Sequence, residues 1–215
     1  MNSIIQQTAD YVRSQCEHDS SGHDWWHIYR VWKNARAICE REKANSFIVE
    51  LAALLHDLDD WKLSEQGSGE PLRARAWLEA CDVDQVDVDI VCEIITHVSF
   101  KGAGVANTME SLEGLIVQDA DRLDAIGAVG IGRAFAYGGH KHRHMHNPKI
   151  EPSSHTSFEE YKNSNSTTVN HFYEKLLLLK DRMNTTAARR IAEGRHIAMV
   201  QFLERFLREW DGGDV

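Results

Sequence analysis

Two imidazoles and two carboxylates set the chemistry open to this chain: His27, the adjacent pair His56 and Asp57, and Asp121. They run in the order H…HD…D with gaps of about 30 and about 64 residues, each inside a helical pattern. A mixed nitrogen and oxygen donor set of this size suits one divalent metal ion. A metal with an open position can turn bound water into a nucleophile near neutral pH. The residue types therefore point to hydrolysis of an anionic compound, most naturally a phosphate ester or anhydride.

Each ligand alone has a plainer explanation. His56 can be a hydrogen-bonded histidine at a helix end, and His27 a half-buried one among the aromatics of GHDWWHIYRVW. Asp121 can pair with Arg122 or Arg133, and Asp124, one turn on, is a rival ligand. Neighbours such as His56 and Asp57 diverge by ~100° on a regular helix, so both reach one ion only near a helix end. Leu54 and Leu55 anchor that segment in apolar surroundings. Burying two polar groups beside them costs roughly several kcal/mol unless each is paired or coordinated.

The elements that must position these residues are helical. Ile4, Ile5, Thr8, Tyr11 and Val12 open the chain with a helix, and Ser20, Ser21 and Gly22 break it. Asp24 is an N-cap for a helix carrying Trp25, Ile28, Val31, Trp32, Ala35 and Ile38 and ending near Glu42. Ser46 to Leu58 is apolar on most sides and therefore central. Residues 59 to 69 lose the pattern, with Gly67, Ser68 and Gly69 marking a loop beside the HD pair. Pro71 suits the first turn of a helix to about Cys81, and another helix spans Gln85 to His97. The glycine-bearing SFKGAGVAN follows. Met109 to Ala125 reads as a helix whose continuation toward Phe135 is thinned by glycines 127, 130 and 132. Gly138 to His155 is the least regular stretch. Ser157 to Asp181 and Thr185 to Trp210 close the chain as two long helices. With no sustained two-residue alternation and only three prolines, helix prevails over sheet. The expectation is an all-α, single domain of about eight helices across 1–215, its core about 20–210.

Bulk properties set the bounds. A chain of 215 residues buries a substantial core without staples. A net charge of -9 argues against broad binding to nucleic acid or an anionic membrane. It leaves room for a small anionic substrate, because a bound metal inverts the local field. Cys16, Cys39, Cys81 and Cys92 form no C-x-x-C pair and read as buried free thiols. The start, MNSIIQQTADYV, lacks the basic-then-apolar order of a signal peptide, and no apolar run approaches ~20 residues. The cytoplasm is the expected compartment.

Taken together, the segments AALLHDLDDWK, ITHVSFKG, VQDADRLDAIGAVGIGRAFAYGG, HFYEKLLLLKDRMNT and RHIAMVQFLERFLREW resemble the HD-domain metal-dependent phosphohydrolase superfamily. Within it they are most similar to a bacterial branch described as nucleotide pyrophosphohydrolases, over roughly residues 20 to 210. The resemblance implies metal ligands at His27, His56, Asp57 and Asp121. It also implies cleavage of nucleoside triphosphates to a monophosphate and pyrophosphate. The expected cofactor is one divalent ion, manganese favoured, with magnesium, nickel, iron, cobalt and zinc as alternatives.

Further roles follow around that set. Asp60 stands three beyond the HD aspartate, where one nucleotidase branch carries a glutamate and others a phosphate-contacting lysine. A short carboxylate there can act as general base or acid, with Asp59 as competitor. Asp60 and His97 are the catalytic candidates. His23, Lys62 and Lys101, with His97, would steady phosphates, because one metal does not offset the charge of a triphosphate. Arg122 reads as a structural ion-pair residue. The alternating His140, His142, His144 and His146 read as a solvated loop, with a second metal site or phosphate clamp as the sharper alternative. Trp25 or Trp26 can stack on a base. A small-molecule nucleotide is the expected partner; membrane and nucleic acid are not, and a homodimer is admitted. The rival functions are a 5'-nucleotidase-like phosphomonoesterase and a non-catalytic nucleotide- or metal-binding module.

Overall fold

The computed structural model describes residues 2–16, 24–58, 70–98, 108–153 and 166–213. Among them are nine α-helices and one 3-10 helix, with no strand, so the chain is all-α. It packs as two compact units: Met1–Phe100 with Asn107–Asp121, and Lys101–Ala106 with Arg122–Val215.

The first unit is built on α1 (Asn2–Gln15), α2 (Trp25–Glu42), α3 (Ser46–Leu55), α4 (Leu72–Ala80), α5 (Gln85–Val98) and the N-terminal part of α6 (Leu112–Asp124). Helix α3 is its centre and packs against α1, α2 and α5. The apolar run explains that position: Ile48, Val49 and every residue from Leu51 to Leu55 are buried. The link between α2 and α3 is short because Lys43 adopts the left-handed conformation (φ 60) and closes α2, while the Asn45 side chain caps α3. Helix α2 turns a stripe of His27, Ile28, Val31, Ala35 and Ile38 inward. Across the α2–α3 pair, Trp32 donates from Nε1 to Glu50 Oε2 at 2.7 Å. Helix α4 is held to α1 by Trp77, which stacks on Tyr11 at 3.9 Å between ring centroids and donates to Thr8 Oγ1 at 2.9 Å.

The second unit contains α7 (Gly127–His140), α8 (Thr168–Glu174), a 3-10 helix (Leu176–Arg182) and α9 (Thr186–Trp210). Its core gathers Phe135, Phe172, Phe202 and Phe206, whose ring centroids stand 5.7–6.1 Å apart. Arg195 of α9 donates to the carbonyl of Leu123, and Arg122 to that of Arg182, supplying cationic partners to helix-end carbonyls. Burial lowers the Arg195 pKa, and Asp124 opposes that shift.

Several boundaries differ from the sequence reading, among them the start of α6 at Leu112 rather than Met109. Helix α3 stops at Leu55 rather than Leu58, and residues 56–58 form a turn closed by Leu58 N–H to the Leu55 carbonyl at 3.1 Å. Helix α6 does not thin into a continuation: it ends at Asp124, and α7 restarts at Gly127 with φ +78. A side chain at Gly127 would also stand 2.9 Å from Arg195 Cβ. The expected long helix to Asp181 is broken in its described part, because Lys175 leaves helical geometry (φ -142). The 3-10 helix that follows has three residues per turn, which puts the buried Leu176 and Leu179 on one side.

Candidate metal centre

Helix α2 delivers His27 through its N-terminus. Asp24 caps that end by accepting the His27 backbone N–H at 2.9 Å, so the cap grips the residue whose side chain points inward. Helix α3 delivers His56 at its C-cap and Asp57 one residue on, where the chain leaves helical hydrogen bonding. This is how neighbouring side chains converge instead of splaying by ~100°. Helix α6 delivers Asp121.

The donor atoms of His27, His56 and Asp57 lie within 4.8 Å of one another. Asp57 Oδ2 stands 3.2 Å from His27 Nε2 and 3.4 Å from His56 Nε2. Asp121 joins beside His27, its Oδ1 3.6 Å from Nε2. Both imidazoles are almost wholly buried, and Asp57 and Asp121 are 16% and 32% exposed. The cluster is thus closed on the histidine side and open on the carboxylate side.

The donor set fits a divalent cation. His56 Nδ1 sits 2.9 Å from the Ala53 carbonyl oxygen, which can only accept, so Nδ1 carries the proton and Nε2 presents a lone pair to the cluster. That Nε2 is buried and makes no hydrogen bond. An unsatisfied buried nitrogen costs about 1–3 kcal/mol, and coordination removes the cost. Ligands held about 2.1 Å from one ion stand roughly 3.0 to 3.4 Å apart at right-angled to tetrahedral geometry, the range of the two Asp57 distances. An outer partner fixing the tautomer of a ligating histidine is the usual arrangement of such sites.

The family model described as HD domain matches residues 25–126, which hold all four of these residues. Over 210 residues the chain is 42% identical to the uncharacterized protein YpgQ of Bacillus subtilis, covering 97% of this chain and 95% of that one. The crystal structure of an HD-superfamily hydrolase from Bacillus thuringiensis is 44% identical with a TM-score of 0.78, covering 98% of each chain. The chain belongs to the HD superfamily of hydrolases. Within this HD family, the crystal structure of Bacillus subtilis YpgQ in complex with ADP is similar at 41% identity and a TM-score of 0.73, over 94% of this chain and 96% of that one.

The HD assignment leaves the other candidates in distinct positions. His23, Asp60, Lys62 and Lys101 lie outside the described residues, as do Asp59 and the stretches 59–69 and 99–107. His97 is in the last turn of α5, its Nδ1 donating to the Glu93 carbonyl at 2.9 Å, and is not part of the converging cluster. Asp124, the rival ligand, is bound to Arg133 instead. Trp25 and Trp26 both make ring contacts with Tyr29, and Trp26 is exposed.

The histidine-rich stretch supplies no second cluster of metal-ligand spacing among the described residues. His144 instead offers its carbonyl to the Thr168 N–H at 3.0 Å, and His146 packs edge-on against Phe206 and Trp210. The described thiols are free, and burial pushes those of Cys39 and Cys81 up, which disfavours a thiolate nucleophile. No helix among the described residues is long and apolar enough to cross a membrane.

Sequence reasoning missed Arg73. Its Nη1 donates to the Leu58 carbonyl at 2.9 Å, at the end of the turn that carries His56 and Asp57.

Proposed function

We propose that this chain is a metal-dependent phosphohydrolase that cleaves a nucleoside triphosphate to the monophosphate and pyrophosphate. The observation that carries the reading is the convergence of His27, His56 and Asp57 around an unsatisfied, buried His56 Nε2. The nucleotide part of the reading is supported by the similarity to YpgQ, whose structure is in complex with ADP, and by the branch motifs in the sequence.

In this reading His27, His56, Asp57 and Asp121 hold one divalent ion, manganese favoured. When bound, that ion supplies positive charge at the phosphoryl oxygens and lowers the pKa of a water. The protein's own residues divide the remaining work. The Asp60 carboxylate takes the proton of the attacking water and returns one to the leaving oxygen. His97 assists proton transfer at its Nε2, since Nδ1 is committed to the Glu93 carbonyl. His23, Lys62 and Lys101 bind the phosphates, whose charge exceeds what one ion offsets. Trp25 or Trp26 offers a face for the base.

The test is product identification. Purified protein with Mn2+ is incubated with nucleoside mono-, di- and triphosphates. Equal amounts of pyrophosphate and monophosphate from a triphosphate support the reading. Release of inorganic phosphate from monophosphates makes the protein a phosphomonoesterase. Nucleotide binding without turnover makes it a non-catalytic module.

A further inference from the structure

Three hydrogen bonds among the described residues help fasten the turn that carries the HD pair. His56 Nδ1 returns to the Ala53 carbonyl, and the Leu58 N–H returns to the Leu55 carbonyl. Both are local to the end of α3. The third comes from α4, a separate helix: Arg73 Nη1 donates to the Leu58 carbonyl at 2.9 Å. Leu58 is largely buried just beyond the end of α3, where a cationic donor is both a hydrogen-bond partner for its carbonyl and a favourable charge.

The other arm of the same guanidinium, Nη2, donates to Gln15 Oε1 of α1 at 2.7 Å. That second bond is exposed, and α4 is already tied to α1 by the Trp77–Tyr11 stack and the Trp77–Thr8 hydrogen bond. Ala74 and Leu78 additionally bury α4. The placement of α4 therefore does not rest on Arg73 alone, whereas Arg73 ties the Leu58 carbonyl to a separate helix.

We infer that Arg73 is a positioning residue for the metal centre: by holding the Leu58 carbonyl it fixes the His56–Asp57 turn in the conformation that aims both side chains at one cation. This rests on the metal-centre reading above. Partners hydrogen-bonded to a metal ligand alter metal affinity about 10- to 100-fold when removed, and Arg73, acting one step further out through Leu58, is expected at the lower end.

The test is Mn2+ binding by isothermal titration calorimetry, without substrate, on wild type, Arg73→Met, Arg73→Lys and Gln15→Ala, with urea unfolding of each apo form. Arg73→Met should weaken Mn2+ binding about tenfold. Arg73→Lys, which keeps a cationic donor but not the fork, should recover part of the loss, and Gln15→Ala should bind as wild type does. If Arg73→Met fails to fold, Arg73→Lys against Gln15→Ala gives the same comparison, with the weaker binding expected in the lysine variant. Unchanged Mn2+ affinity in the folded Arg73 variants reduces Arg73 to a staple between helices and overturns the inference. A wild-type protein that binds neither Mn2+ nor another first-row divalent ion instead fails the underlying metal reading.

Discussion

The His56 imidazole gives its Nδ1 proton to the carbonyl of Ala53, three residues back, and thereby holds Nε2 bare inside a buried cluster. One hydrogen bond thus fixes tautomer, ring orientation and the direction of a lone pair. It also turns the last turn of an apolar helix into a ligand mount.

His56→Asn separates these roles, because the asparagine amide can occupy the Nδ1 position and keep the Ala53 bond while deleting Nε2. The variant should lose Mn2+ affinity by at least about 100-fold, because a ligand is lost outright where loss of an outer partner alone already costs about 10- to 100-fold. Its apo form should stay within about 1 kcal/mol of wild type, since the unsatisfied Nε2 is exchanged for the amide oxygen of the asparagine. Calorimetric titration measures the first, and urea unfolding followed by far-UV circular dichroism the second. A variant that keeps wild-type metal affinity removes His56 from the ligand set.

Asp24→Ala tests whether the cap of α2 matters beyond helix stability. Loss of an N-cap carboxylate costs about 1 kcal/mol, within roughly 0.5 to 2. Because the capped amide is that of His27 itself, fraying should also loosen that ligand and weaken Mn2+ binding severalfold. Asp24→Asn, which retains the acceptor, should restore both. Denaturant midpoints and metal titrations of the two variants decide it.

These residues show how far the sequence alone reaches. Helix α2 is legible because Asp24, an extended-backbone acceptor, immediately precedes an apolar stripe of period 3.6, and the cap appears where the chemistry requires it. The HD pair is legible as a site because the apolar run from Phe47 to Leu55 makes two polar residues at its end expensive unless they are coordinated. Arg73 is not legible, since its partner is a backbone carbonyl 15 positions earlier, and backbone acceptors carry no side-chain signature. The restart at Gly127 was hidden for a related reason. A glycine inside a helical pattern reads the same whether it weakens the helix or adopts positive φ, and the Arg195 side chain packed against it comes from α9. The break at Lys175 sits in an apolar run whose helix and 3-10 periodicities are indistinguishable over seven residues.

Acid should weaken the second unit through His171. Burial, then the charges of Lys175 and Arg143, lowers its pKa from 6.5 to about 3. Above pH ~6.5 the imidazole is neutral in folded and unfolded chains alike and contributes no pH dependence. Between about 6.5 and about 3 the unfolded chain binds a proton that the folded chain refuses, so stability falls as pH falls, by up to ~1.4 kcal/mol per unit. Urea unfolding between pH 7 and 5 on wild type and His171→Gln isolates the contribution. The wild type should lose about 2 kcal/mol more than the variant over that range, and parallel curves would show that His171 takes up its proton without unfolding.

Asp121 and Asp124 lie one turn apart on α6 and should separate into ligand and structural ion. Asp124 is 1% exposed and bound to Arg133, which is itself 31% exposed. Asp124→Ala removes the carboxylate from that pair, at a cost of about 3 kcal/mol, kept to the lower end of the range for buried pairs because Arg133 keeps its bond to the backbone carbonyl and can rehydrate. Asp121 is 32% exposed, stands 3.6 Å from His27 Nε2, and faces the cluster. Asp121→Ala should therefore leave the urea midpoint of the apo protein within about 0.5 kcal/mol of wild type while weakening Mn2+ binding at least tenfold. Asp124→Ala should show the reverse, a large loss of stability with metal affinity intact in the folded fraction. If Asp124→Ala proved the variant that cannot bind metal, the fourth ligand would be Asp124, and the Arg133 pair would have to open to release it.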